Sequence, residues 1–252
     1  MKPETISDTK TRNVVILAEE PQITITWTRF SDGERGPDLH VHHEHTDAFY
    51  MLDGELTFEL GPDAQRVRVG PGGYVAIPPH VAHSFVNESG ADARWLNFHA
   101  PDSGFADFLR TLREGTPGQW DSFDMPADGG AAPDAVIVSP PGDGERLMTG
   151  RRAVLLKGAG DDLGVAEWEF DGPFAGPPVH RHDGEVDAFY VVEGKLELSV
   201  QGADETLREG SLLAIPAGVD HAFDHRNDER GRVLNVQAPN AGFADALRQM
   251  SQ

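Results

Sequence analysis

The sequence predicts an all-β fold: two tandem barrels or sandwiches, each followed by a short helix. Three observations predict it. First, one stretch occurs twice. HVHHEHTDAFYMLDG (His40 to Gly54) aligns without a gap with HRHDGEVDAFYVVEG (His180 to Gly194). Internal repetition on this scale marks repeated structural units. Second, short β-branched and aromatic runs alternate with turns rich in Gly (28) and Pro (18), as many short strands require. Third, each half ends in the same helical element. Ala100-Pro101-Asp102-Ser103-Gly104-Phe105 is echoed by Ala238-Pro239-Asn240-Ala241-Gly242-Phe243.

Taken in order, residues 1 to about 12 read as a polar arm. Val14–Leu17 and Ile23–Trp27 have strand character, and Ser31–Pro37 is a turn. Residues two apart in a strand share a face, so His40 and His42 project together. Asp47 lies an odd number of positions beyond His42 and needs a turn to regain that face; His43–Thr46 supplies it. Asp47–Leu52 is the next strand, closed by the hairpin signal Asp53-Gly54. Leu56–Leu60, Arg66–Val69, Tyr74–Ile77 and Trp95–His99 follow as strands. Phe105, Phe108, Leu109 and Leu112 fall at helical spacing and form one amphipathic helix.

Residues 1–113 therefore form a first domain, 114–135 a Gly/Pro/Asp-rich linker and 136–252 a second domain. Trp120, Phe123 and Met125 are too apolar for a solvated tether and are expected to pack against a domain. Strands near Ala153–Leu156 and Val165–Phe170 open the second domain.

The formal charge is −21, from 42 acidic and 21 basic residues. That balance argues against nucleic acid and anionic membrane as partners. The chain has no cysteine, which excludes disulfides and thiolate metal sites. The N-terminus lacks an apolar signal segment, and no run approaches the roughly 18 apolar residues of a membrane span. A soluble cytoplasmic protein is the expectation.

Six of eleven histidines occupy repeated positions: His40, His42, His83 and their counterparts His180, His182, His221. Imidazole is the commonest neutral ligand for transition metals. Two histidines of one strand and a third from a distant strand can cap one face of an ion and leave positions open for water or substrate. Asp47 and Asp187 occupy matching places and add a carboxylate to each set. Among the other five, His43 and His45 read as turn residues, and His80 and His225 as rim residues. His99, matched by Gln237, reads as a hydrogen-bonding residue of the pocket. Phe49-Tyr50 and Phe189-Tyr190 read as barrel core.

These residues resemble the bicupin pattern of the cupin superfamily. The first cupin motif, G-x5-H-x-H-x3,4-E-x6-G, is similar to His40, His42, Asp47 and Gly54, and to His180, His182, Asp187 and Gly194. Asp replaces Glu both times, and the leading Gly spacing is not kept. The second motif, G-x5-P-x-G-x2-H-x3-N, is similar to Gly72, Pro78, His83 and Asn87, with His80 in place of Gly. It is also similar to Gly210, Pro216, Gly218 and His221, with His225 in place of Asn.

The resemblance implies two jelly-roll barrels. It also implies one divalent transition metal per domain (Fe, Mn, Ni, Co, Cu or Zn), held by His40, His42, Asp47 and His83 and by His180, His182, Asp187 and His221. The HVHHEHTDAFYMLDGEL stretch and the repeated Ala-Pro-x-x-Gly-Phe element look most like quercetinase-type bicupins. In those, a metal-held flavonol enolate reacts with O2 after a carboxylate has deprotonated the substrate. That resemblance gives Asp47 and Asp187 the catalytic role, a small aromatic or enediol molecule as substrate, and a homodimer as the assembly to look for. Asp is one carbon shorter than Glu, so it can bond the metal or act beside it as general base. Two other classes remain open: a non-oxidative metal enzyme (isomerase, hydrolase or decarboxylase) and a metal-stabilised binding protein.

Overall fold

The computed structural model describes residues 2–149 and 152–250. It divides into two compact units, Met1–Gly142 and Asp143–Gln252, each a pair of antiparallel sheets in jelly-roll arrangement.

In the first unit a seven-stranded sheet runs in the order Glu4–Asp8, Arg12–Glu20, Ile23–Phe30, Ala93–Ala100, Thr46–Asp53, Tyr74–Ile77, Ile137–Ser139. The facing sheet runs Phe123–Asp124, His40–Val41, His83–Val86, Leu56–Leu60, Gln65–Val69. The second unit repeats the plan. Its larger sheet runs Glu145–Thr149, Arg152–Ala159, Gly164–Asp171, Arg230–Ala238, Val186–Glu193, Leu212–Ile215. Its smaller one runs Phe174–Ala175, His221–His225, Lys195–Val200, Ala203–Arg208.

Alternation along the strands puts Phe30, Phe49, Phe58, Phe85 and Trp95 into one core. Trp168, Phe170, Phe189 and Phe223 fill the other. Each such side chain contributes about 1.5–3 kcal/mol by leaving water. Phe49 and Phe189 sit where the sequence places them, in the barrel core. The hairpin glycines Gly54 and Gly194 have φ of 68° and 79°. A Cβ there would meet the carbonyls of Asp92 (2.3 Å) and Arg230 (2.7 Å), so glycine is required on two counts.

Three expectations change. The N-terminal arm is a strand: Glu4–Asp8 pairs with Arg12–Glu20, and Glu4 binds Arg110 (3.0 Å) and Arg113 (2.9 Å) of the first helix. Its polarity reflects a sheet edge and ion pairs. The stretch read as linker is structured in part. Phe123–Asp124 pairs with His40–Val41. Ile137–Ser139, read as the start of the second domain, instead pairs with Tyr74–Ile77 of the first unit. Trp120 packs on Phe105 and Phe108, while Phe123, 47 % exposed, stacks on His43. His225 is fully buried, stacked on Phe170, and is not a rim residue. It lies on the inward face of His221–His225, where the flat ring fills core space.

The helices Phe105–Arg113 and Phe243–Met250 each lie against their barrel through Ala106 and Leu109, and through Ala244 and Leu247. No helix among the described residues is long and apolar enough to cross a membrane.

Candidate metal centres

Sheet register assembles the histidines. His40 is the antiparallel partner of His83. His180 and His221 form the matching bridge, each amide donating to the other's carbonyl at 2.9 and 2.8 Å. The paired rings stand 4.3 Å apart in the first unit and 4.4 Å in the second. After His42 the chain bends through His43-Glu44 and re-enters strand at Thr46, which returns Asp47 to the cluster as the spacing requires. A second turn holds the histidine loop in place: His80 N and Gly218 N donate to the carbonyls of His42 and His182, both at 2.6 Å. His80 has φ 69° and Gly218 φ 79°, so a histidine occupies a left-handed position where the motif has glycine.

The ring tautomers are set by backbone carbonyls two residues upstream. The Nδ1–H of His40, His83, His180 and His221 donates to Asp38, Val81, Pro178 and Val219, each at 2.9 Å. His42 Nδ1 donates to the Asp121 carbonyl. Each Nε2 is thereby left to other partners, the arrangement that orients histidine for an ion; that of His221 meets Asp187 Oδ2 at 3.2 Å. His42 Nε2 and His83 Nε2 are buried without a hydrogen-bond partner, atoms that a cation would satisfy. The donor sets His40, His42, His83 and His180, His182, Asp187, His221 each bring ligand atoms within 4.8 Å of one another and could hold a metal ion.

The carboxylates stand beside the imidazoles. Asp47 Oδ2 is 3.3 Å from His83 Nε2 and 3.8 Å from His42 Nε2. Asp187 Oδ2 is 3.2 Å from His221 Nε2 and 3.7 Å from His182 Nε2. Asn97 and Asn235 donate to the other oxygens at 2.6 and 2.5 Å. Burial opposes ionisation of Asp47, but His99, His42 and His83 outweigh it and hold its carboxyl well below the usual range. Burial likewise opposes Asp187, and His182, His221 and Asn235 hold it low. Burial, with repulsion from His83 and His42, lowers His40 to about 3. Burial lowers His180 as well. His221 moves up, because hydrogen bonds to Asp187 and the Val219 carbonyl exceed its burial penalty.

The two centres differ in access. In the second unit His180, His182 and Asp187 open onto a cavity of about 300 Å³, walled by Trp168, Phe223, Phe243 and Glu185 among others. In the first unit Trp120 lies over His42, His45 and His99, and His40, His42 and His83 are buried. A separate cavity of about 310 Å³ reaches Asn97 and Trp120 but none of the histidines.

Several residues were not singled out from the sequence. Asp121 is buried and accepts from His43 N (2.9 Å), Glu44 N (2.8 Å) and His45 Nδ1 (2.7 Å). No local pattern marks it, since it lies 78 residues from the loop it ties down. His45, read as a turn residue, is wholly buried against it. Asn97 and Asn235 carried a signal: Leu-Asn-x-x-Ala-Pro recurs as Leu96–Pro101 and Leu234–Pro239. His99 and Gln237 line up opposite Asp47 and Asp187; Gln237 lines the second unit's cavity, whereas His99 is buried and hydrogen-bonded to Asn97.

Comparison with known proteins agrees with this architecture. Residues 26–99 and 168–237 each match the Cupin domain family. A 57-residue stretch is 33 % identical to quercetin 2,3-dioxygenase of Bacillus subtilis (strain 168), covering 22 % of this chain and only 16 % of that enzyme. Among solved structures, AerE from Microcystis aeruginosa superposes with a TM-score of 0.68 at 11 % identity, covering 94 % of this chain and 96 % of that one. Oxalate decarboxylase from Lactobacillus farciminis, in a formate complex, gives 0.63 at 12 %, covering 94 % and 84 %. At these identities the superpositions speak to fold alone. The chain belongs to the cupin family, as a bicupin with two cupin domains in tandem.

Proposed function

We propose that the protein is a metal-dependent oxygenase of the quercetinase type, with the reaction placed in the second unit. One observation carries the placement: the second donor set opens onto a largely apolar cavity, while the first lies beneath Trp120. The local likeness to quercetin 2,3-dioxygenase supports the reaction class. His180, His182, His221 and Asp187 would hold a divalent transition ion, whose positive charge would stabilise a substrate enolate. Their nitrogen and oxygen donors suit Fe, Mn, Co, Ni, Cu and Zn alike.

The residues of this chain do the rest. Trp168, Phe223 and Phe243 form an apolar wall suited to a flat aromatic or enediol substrate and exclude water from it. Asn235 and the two imidazoles hold Asp187 ionised within the donor set. Glu185, on the wall of the same cavity, is the carboxylate placed to take a hydroxyl proton from the substrate. Asp47 has the environment of Asp187 without its access, standing beside the imidazoles of the first set.

Oxygen uptake tests this reading. The full chain, prepared without a metal-affinity tag and loaded with each candidate ion, is assayed with flavonols and simpler enediols. We expect uptake matched to substrate loss, abolished in His182→Ala and reduced by at least about tenfold in Glu185→Gln, with His42→Ala retaining activity. Substrate loss without oxygen uptake would move the protein to the non-oxidative class. Uptake that survives His182→Ala but not His42→Ala would put the reaction in the first unit.

A further inference from the structure

The first unit contains a second set of imidazoles. His42, His45 and His99 are 2 %, 0 % and 2 % exposed. One ring nitrogen of each lies within 4.8 Å of the other two.

Their hydrogen bonds decide which nitrogens carry protons. His45 Nδ1 faces Asp121 Oδ2 at 2.7 Å. That carboxylate already accepts the amides of His43 and Glu44, so His45 Nδ1 is the donor. Asn97 uses its amide nitrogen on Asp47 Oδ1 (2.6 Å) and the Ala48 carbonyl (3.0 Å). It therefore presents its oxygen to His99 Nε2 at 3.1 Å, and His99 Nε2 is the donor there. In neutral rings the two remaining nitrogens, His45 Nε2 and His99 Nδ1, both carry lone pairs. They face each other at 2.9 Å. Two buried lone pairs at that distance repel unless a cation lies between them.

We propose that His42, His45 and His99 form a second metal-binding position in the first unit, for a divalent ion that favours imidazole, such as Zn²⁺ or Co²⁺. Two nitrogens each about 2.0–2.1 Å from one ion are about 2.9 Å apart at a right angle, the separation of this pair, and about 3.3–3.4 Å apart at the tetrahedral angle, so a five- or six-coordinate ion fits the pair as it stands and a tetrahedral one needs the rings to part by about 0.5 Å. Both rings also have the outer partners that fix a metal-binding histidine: Asp121 for His45, Asn97 for His99. The position is particular to the first unit, because the aligned residues of the repeat are Glu185 and Gln237. His42 belongs to both donor sets, and its one free nitrogen serves one ion at a time. This goes beyond the proposed oxygenase reaction, which lies in the other unit.

The test is metal binding by the full chain, read without any activity. His182→Ala/His221→Ala silences the second unit. In that background His40→Ala/His83→Ala leaves only the His42, His45, His99 set. Metal-free protein is titrated with Co²⁺ and followed by its absorption and by elemental analysis. We expect about one equivalent retained, with affinity reduced at least about tenfold by adding His99→Gln. No bound ion in a variant whose circular dichroism is unchanged would mean a proton, not a metal, bridges the pair, and would overturn the proposal. If His40→Ala/His83→Ala does not fold, His45→Ala/His99→Gln is made with His40 and His83 intact. A changed Co²⁺ spectrum or affinity then supports the second position; an unchanged spectrum, stoichiometry and affinity would overturn it.

Discussion

Asn235 Nδ2 donates to Asp187 Oδ1 at 2.5 Å, and Asn97 makes the same bond to Asp47 at 2.6 Å. The pairing fixes which carboxylate oxygen is left to face the imidazoles. In Asn235→Ala the carboxylate loses this amide donor while staying buried. We expect metal affinity of the second unit to fall about 10–100-fold, the usual effect of losing an outer partner. Competition titration against a chromophoric chelator checks this. Asn97→Ala should leave the second unit's affinity unchanged; equal effects from both variants would sink the idea that each asparagine serves its own centre.

Asp121 is expected to matter for stability beyond its single charge. Asp121→Ala strips an acceptor from two backbone amides and from His45. Buried donors left unsatisfied cost about 1–3 kcal/mol each, so we expect a loss of about 2–4 kcal/mol in chemical denaturation. Asp121→Asn keeps one oxygen acceptor and should recover part of it. A loss below about 0.5 kcal/mol for the alanine variant would show that the segment does not hold the first centre closed.

Acid should destabilise the metal-free protein. Burial lowers His40 to about 3 and His45 to about 4, from 6.5. Between those values these two rings bind more protons in the unfolded chain than in the folded one, so their contribution to stability rises with pH across the window; His221, raised in the folded state, opposes them. The loss begins as pH falls below about 6.5 and continues to about pH 3. Asp47 and Asp187, held low in the folded state, act in the same direction: their contribution is present above the ordinary carboxyl value and is lost as pH falls through their folded values. Urea midpoints of metal-free protein at pH 7.5, 6 and 5 should decrease in that order; a flat series contradicts the assignment.

Gly218 isolates the backbone requirement of the turn beneath the second centre. A Cβ there meets nothing within 4 Å, so the cost of Gly218→Ala comes only from the left-handed φ of 79°. We expect about 1–2 kcal/mol of destabilisation, measured by denaturation, with the centre still able to bind an ion. Loss of binding without loss of stability would assign the turn a different role.

The duplicated His-x-His, carboxylate and distant histidine were legible in the chain because each is a local pattern written twice. Period-two alternation dictated which residues shared a face, and the repeat dictated that two such faces existed. The closing helix was legible for the same reason: its apolar positions recur every three to four residues in both halves. Asp121 was not, because its partners lie far along the chain and nothing in a Gly- and Pro-rich stretch marks which acidic residue will be buried; the packing of Trp120 was legible from its apolar character, but its position over the first centre was not. The placement of His45 was likewise hidden, since a turn residue becomes a buried one only when a remote segment covers it.

The sequence by itself thus determined the family, the two barrels and the six repeated histidines with their aspartates. Tertiary structure alone decided which nitrogens are released by backbone carbonyls, and that Trp120 lies over the first centre while the second opens to a cavity. Periodicity encodes the direction of a side chain relative to its own strand. Access and hydrogen-bond partnership depend on which distant segments pack against that strand, and these are settled only when the chain has folded.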